Sequence, residues 1–225
     1  MKRRQFTRAL PALGACGLGS PARAERAAVD AATGVRVALE RGASAAVSML
    51  GATDGFLGNP KVRIPLPGAL EDAAKLLSRL GQKKRVDDLV TAMNRAAEAA
   101  MPEAKQVLMD AVRKLSVQDA LGIVRGGSTS VTDYFARHTR EPLGARFLPI
   151  VTRATEKVKL AERYNAFASK AASLGLVKGD DANLQRHVTA KALDGLYLII
   201  GEEEQRIRAD PLKAGSAILK QVFGG

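Results

Sequence analysis

Apolar side chains recur three and four residues apart along almost the whole chain, the period of helices with one buried face. This pattern predicts a first, Ala-rich helix over about residues 30–50, its start weakened by Gly34 and Gly42. Pro67 opens a helix at the position proline favours, with Leu70, Ala73, Ala74, Leu77 and Leu80 as its apolar stripe and Gly81 as its end. Val86, Leu89, Val90, Met93, Ala97 and Ala100 face inward on the next helix, which stops before Pro102. Pro102 begins another, reaching about Leu115. Ser116 with Asp119, and Ser130 with Asp133, read as capping boxes. The first opens a short helix to Arg125, the second a helix after Gly126-Gly127. A helix kinked at Pro149 is predicted between Thr139 and Val158, another over 160–173, and a long one over about 181–208. A last helix follows Asp210-Pro211 and ends at Gly224.

One stretch, residues 54–67, breaks this pattern. It holds three prolines and two glycines, so it must run extended. It also carries Phe56, Leu57, Val62, Ile64 and Leu66, which is too apolar for a solvated loop. The predicted class is therefore all-α: an irregular multi-helix bundle with this Pro-rich segment packed against it. Phe56, Asn59, Pro60, Ile64, Pro65 and Pro67 define the segment as a candidate recognition element.

The N-terminus changes the picture of compartment. Residues 1–24 read as an export signal, with Arg3-Arg4 resembling a twin-arginine motif and Ala22-Arg23-Ala24 a cleavage site. The general secretory route is the competing path, and lipidation at Cys16 is the alternative to cleavage after Ala24. On this reading residues 25–225 form one periplasmic domain. Cys16 is the only cysteine, so that domain has neither a disulfide nor a thiol nucleophile. Loss of the signal lowers the formal charge from +12 to +7, because residues 1–24 carry five cations and no acid. With aromatics at 4% and no Trp, bases could hardly be stacked, so nucleic acid is not an expected partner. Peripheral contact with anionic surfaces fits the charge better. No later apolar run is long enough to span a membrane.

Catalytic signatures are missing: there is no Walker loop, nucleophile elbow or His-Glu-x-x-His motif. His138 and His187 lie on different predicted helices without further ligands at metal spacing, so no metal or other cofactor is expected. Asp194 interrupts the apolar run 192–200 and is predicted to be buried, in a structural ion pair or, less simply, facing a pocket. Asn94 and Glu98 flank one apolar stripe, while Arg95 points away from it, towards water or a second layer. Arg63 sits inside the extended segment, where its planar fork suits a carboxylate or another anion, with Asp194 or Glu98 as possible mates. Arg63, Asn94, Arg95, Glu98 and Asp194 thus form the candidate polar cluster. Glu202–Arg206 and Glu204–Arg208 read as pairs on a solvated helix end. Tyr134, Tyr164 and Tyr197 read as core residues with bonded hydroxyls.

Several of these motifs together resemble a bacterial family catalogued as domain of unknown function 4197. They are Asp54-Gly55-Phe56-Leu57, Asn59-Pro60, the run from Val62 to Pro67, and Met93-Asn94-Arg95-Ala96-Ala97-Glu98. Tyr134-Phe135, Phe147-x-Pro149-Ile150-Val151, Lys191-Ala192-Leu193-Asp194-Gly195-Leu196, Glu203-Glu204, Ile207-Arg208 and Val222-Phe223-Gly224 extend the likeness over nearly all of the chain. The resemblance implies an exported helical protein of Gram-negative envelopes and no assigned activity. The expectation is a non-enzymatic binding or interaction module for an unidentified envelope component or protein. The alternative is an envelope enzyme using Asp194 or Glu98 as general acid–base.

Overall fold

The computed structural model describes residues 21–68, 71, 74–75, 78–156, 161–162, 165 and 183–210. Among them are five α-helices and no strand: α1 (Pro21–Gly51), α2 (Lys83–Arg113), α3 (Val117–Arg125), α4 (Ser130–Thr155) and α5 (Leu184–Ala209). Of the helix predicted after Pro67, residues 68, 71, 74 and 75 are helical, and 69–70, 72–73 and 76–77 lie outside the described residues. Those predicted over 160–173 and after Pro211 lie largely or wholly outside them.

α1 buries Ala32, Val35, Leu39, Ala43, Ala46 and Leu50, a helical stripe of mostly small side chains. Small residues let neighbours come close: a Cβ on Gly42 would lie 3.7 Å from Glu203 Cβ, and one on Gly51 would lie 3.3 Å from Met101 Cβ. α1 packs on α2, α5 and α3, while α2 and α4 make the most extensive helix pair. The core between them is filled by Leu89, Met93, Met101, Leu108, Phe135, Leu143 and Phe147, all fully buried.

Two predicted breaks are absent. α2 is one helix through Pro102, and the two helices predicted to open at Ser130 and after Thr139 are one, α4, with Pro142 and Pro149 inside it. A proline inside a helix removes one backbone hydrogen bond. All three prolines face solvent, where water can take the freed carbonyl. On the opposite face, Ala97, Met101, Ala104 and Leu108 of α2, and Phe135, Leu143, Phe147 and Val151 of α4, are anchored in the core on both sides of each proline. Packing thus offsets the local cost.

The break at Gly81 is real. Gly81 has φ 77°, a left-handed conformation that glycine adopts without a Cβ penalty, and it turns the chain into α2. Leu80 therefore falls beyond the stripe assigned to it and is 65% exposed. No helix of the described residues is long and apolar enough to cross a membrane.

Candidate functional site

The segment begins where α1 ends, and it does not run extended over its whole length as expected. Residues 53–58 and 60–62 form turns, and the run 63–67 lies outside them. Main-chain bonds close the turns, such as Gly58 N–H to the Asp54 carbonyl (3.0 Å) and Arg63 N–H to the Asn59 carbonyl (2.8 Å). Asp54 takes a left-handed φ of 66°, tolerated by Asp better than by most residues, and reverses the chain. Gly55 follows because nothing larger fits: a Cβ there would lie 2.5 Å from the Met49 carbonyl oxygen. Asn59 then organises a second turn. Its side-chain oxygen accepts from the Lys61 N–H (3.1 Å) and its carbonyl from the N–H groups of Val62 and Arg63. Phe56, Val62, Ile64 and Pro67 point into the core, while Pro60, Arg63 and Pro65 face outward.

The main-chain groups that these turns leave unpaired have no ladder partner, so they need side chains. α2 supplies them. Glu98 Oε1 accepts the N–H groups of Phe56 and Leu57, each at 3.1 Å. Asn94, fully buried, accepts the Ile64 N–H at 2.8 Å and donates to the Ile64 carbonyl at 3.0 Å, as a neighbouring strand would. Arg95 donates to Glu98 Oε2 (2.6 Å) and to Asp54 Oδ1 (2.8 Å), tying the start of the segment to the helix. The bond to Glu98 is the chief reason that the Arg95 guanidinium is held above its ordinary pKa.

α5 closes the other side. A Cβ on Gly195 would lie 2.9 Å from the Phe56 ring and 3.2 Å from Val62 Cβ, so the absence of a side chain lets the segment lie on the helix. His187 Nε2 donates to the Pro65 carbonyl (3.2 Å), and Lys61 pairs with Glu202 (2.7 Å).

Of the candidate polar cluster, Asn94, Arg95 and Glu98 come together on the segment. The other two members do not join them. Asp194 is not buried: its side chain is 50% exposed and pairs with Arg140 (2.9 Å) and, more loosely, with Lys191 (3.9 Å). The run 192–200 has an outer stripe, Lys191, Asp194 and the half-exposed Leu198, which period alone cannot tell from an inner one. Arg63 meets neither Asp194 nor Glu98, because Arg95 already holds Glu98. Arg63 instead lines an open groove of about 540 Å³ with Pro65, Leu66, Glu71, Ala74, Lys75, Ser78, Arg79 and Val90.

A second buried carboxylate corrects another expectation. Glu204 and Arg208 are not a solvated pair: their side chains are 1% and 20% exposed. Glu204 accepts the N–H groups of Val131 (3.0 Å) and Thr132 (3.1 Å), capping α4 from α5. Arg208 reaches the Ile123 carbonyl and the Ser130 hydroxyl as well as Glu204. The box expected on Ser130 and Asp133 does not form, since Ser130 Oγ donates to the Ile123 carbonyl. Glu203 is likewise buried and bonded to Arg206.

The tyrosines serve the core. Tyr134 donates to the Ala111 carbonyl (2.9 Å), and Tyr197 shares a hydrogen bond with Thr139 (2.8 Å). Burial pushes both phenols above their usual pKa, away from acid–base work near neutrality. Tyr164 lies outside the described residues. The exposed His138 and the buried His187 each bond a main-chain carbonyl, and no cluster of potential metal ligands occurs among the described residues.

A family model described as a protein of unknown function (DUF4197) matches residues 26–224. No curated protein and no solved structure matches the chain.

Proposed function

Starting from the premise that the chain belongs to the DUF4197 family, whose description assigns no activity, we propose that it is an exported, non-enzymatic binding module of the cell envelope. One observation carries this reading. The segment 54–67 is held along its inner edge by Asn94, Arg95 and Glu98, yet it turns Arg63, Pro65 and Leu66 towards the groove. A segment held this firmly costs little to order on binding, which is how a preorganised surface gains affinity. The groove combines apolar walls from Leu66, Ala74 and Val90 with Arg63, Lys75 and Arg79 against the single acid Glu71. It thus suits an envelope component that presents a carboxylate or phosphate beside apolar surface.

The enzymatic alternative has less to work with. Glu98 accepts on both oxygens from groups that hold the segment, and Asp194 is paired on the surface. Neither lines the groove beside Arg63, and a general acid–base needs reach to a substrate proton.

Native mass spectrometry of protein released gently from the periplasm tests the binding reading. The expected result is a reproducible mass adduct that is lost in Arg63→Ala while the melting temperature stays unchanged. Bare protein in both forms, or an adduct indifferent to the substitution, overturns it. The intact mass of the same material tests export: a chain beginning at Glu25 is expected, whereas a lipid-modified Cys16 or an unprocessed Met1 overturns cleavage after Ala24.

A further inference from the structure

The corner between the groove and α2 has chemistry of its own. Leu80 (φ −84°, ψ 16°) and Gly81 (φ 77°, ψ 7°) leave helical geometry and turn the chain into α2. Leu80 is the most exposed large apolar side chain among the described residues. Gly81 is at the surface, with open space where its Cβ would stand. Around this apolar tip the run from Arg79 to Arg85 carries Arg79, Lys83, Lys84 and Arg85, all exposed, and no acid. The nearest acids along the chain, Asp87 and Asp88, come afterwards on α2. Of these, Asp88 meets Lys84 at 3.6 Å, with both side chains more than half exposed. A pair so well solvated leaves the lysine available to a stronger anion.

We propose that this corner docks on the surface of an anionic phospholipid bilayer, with Leu80 entering the headgroup–acyl boundary and Arg79, Lys83 and Lys84 lying at the level of the phosphates. A single exposed leucine flanked along the chain by long cationic side chains matches the two layers of such a surface, apolar below and negative above. A soluble polyanion would use the cations and leave the leucine in water. The cations have flexible stems that follow apolar surface while their heads stay hydrated, as an interfacial position requires. No helix among the described residues spans a membrane, so the contact is peripheral and reversible. The inference does not rest on the groove, and its test leaves Arg63 and Arg79 untouched.

The experiment is co-sedimentation of the full chain with vesicles of phosphatidylcholine alone and of phosphatidylcholine mixed with phosphatidylglycerol. Wild type is expected to bind only the anionic vesicles and to be released as salt rises from 0.05 to about 0.5 M. Lys83→Gln with Lys84→Gln is expected to weaken partitioning roughly 25-fold, about fivefold for each cation. Leu80→Ser is expected to weaken it about tenfold through the lost apolar insertion. Every form carries the same N-terminal cations, so differences between them report the corner. Leu80, Lys83 and Lys84 are exposed, so the variants are expected to melt with wild type. Equal binding to both vesicle types, or lysine variants that bind like wild type, overturns the proposal. If Leu80→Ser binds undiminished and heparin displaces both forms equally, the corner belongs to a soluble polyanion and the membrane reading fails.

Discussion

At Glu98 one carboxylate accepts two main-chain N–H groups and a guanidinium, almost out of reach of water. Hydrogen bonds to a charged acceptor contribute more than neutral ones, and their loss leaves buried donors unsatisfied. Glu98→Gln keeps the shape and removes the charge. It is expected to cost about 1.5–3 kcal/mol in urea unfolding. Asp194→Ala, at a surface pair, is expected to stay within about 0.5 kcal/mol of wild type. Equal effects at the two positions would contradict the burial that separates them. Residue spacing put Asn94 and Glu98 beside one apolar stripe and marked the segment as ordered, and both features are present. It could not place Asp194, because the outer face of a mostly apolar helix is decided by its neighbours. Nor did it mark Glu204, whose i,i+4 partner Arg208 gives the pair the look of an exposed helix end.

Among elements, α3 is the one whose start was fully legible. Ser116 Oγ accepts the Asp119 N–H (3.0 Å), and Asp119 Oδ2 accepts the Ser116 hydroxyl (2.6 Å) and N–H (3.2 Å). These bonds from Ser116 are the main reason that the Asp119 carboxyl is held below its ordinary pKa of 3.8. A carboxyl whose folded pKa is depressed contributes stability that is present above its unfolded value and lost as pH falls through the folded one. Ser116→Ala is expected to cost about 1 kcal/mol at neutral pH. The gap between wild type and variant should narrow as pH drops below about 3.8, the unfolded Asp value. Denaturant titrations of both forms across that range check this, and a gap that widens in acid counts against it. α4 begins at Ser130 as the sequence suggested, yet by a different device. Its N–H groups are met by Glu204, 72 or 73 residues away in the chain. A remote cap of this kind leaves no trace in the local spacing.

Over the whole molecule, the segment 54–67 joins α2 to α5. α2 bonds it through Asn94, Arg95 and Glu98, while α5 bonds it through His187 and Glu202 and leaves space for its ring at Gly195. It therefore has no means of opening alone, since release would expose Phe56, Val62 and Ile64 and strand Glu98 and Asn94. In native-state hydrogen exchange the amides of Phe56 and Ile64 are expected to exchange only through global unfolding, with the slopes of the α2 core. Gly81 and Gly127, at exposed turns, should exchange by local opening. Early exchange at Phe56 would mean that the segment detaches by itself. The all-α class, the helix stop at Gly81, the capping box at Ser116 and the ordered break at 54–67 were all readable from order along the chain. Each rests on short-range physics: the 3.6-residue period, backbone dihedrals, and donors lost at proline. The continuity of α2 and α4 through their prolines, the exposure of Asp194 and Leu80, and the partners of Glu98 and Glu204 became settled once the helices packed. Those features depend on which face meets which neighbour across dozens of residues, and such long-range pairing has no period for a local pattern to reveal.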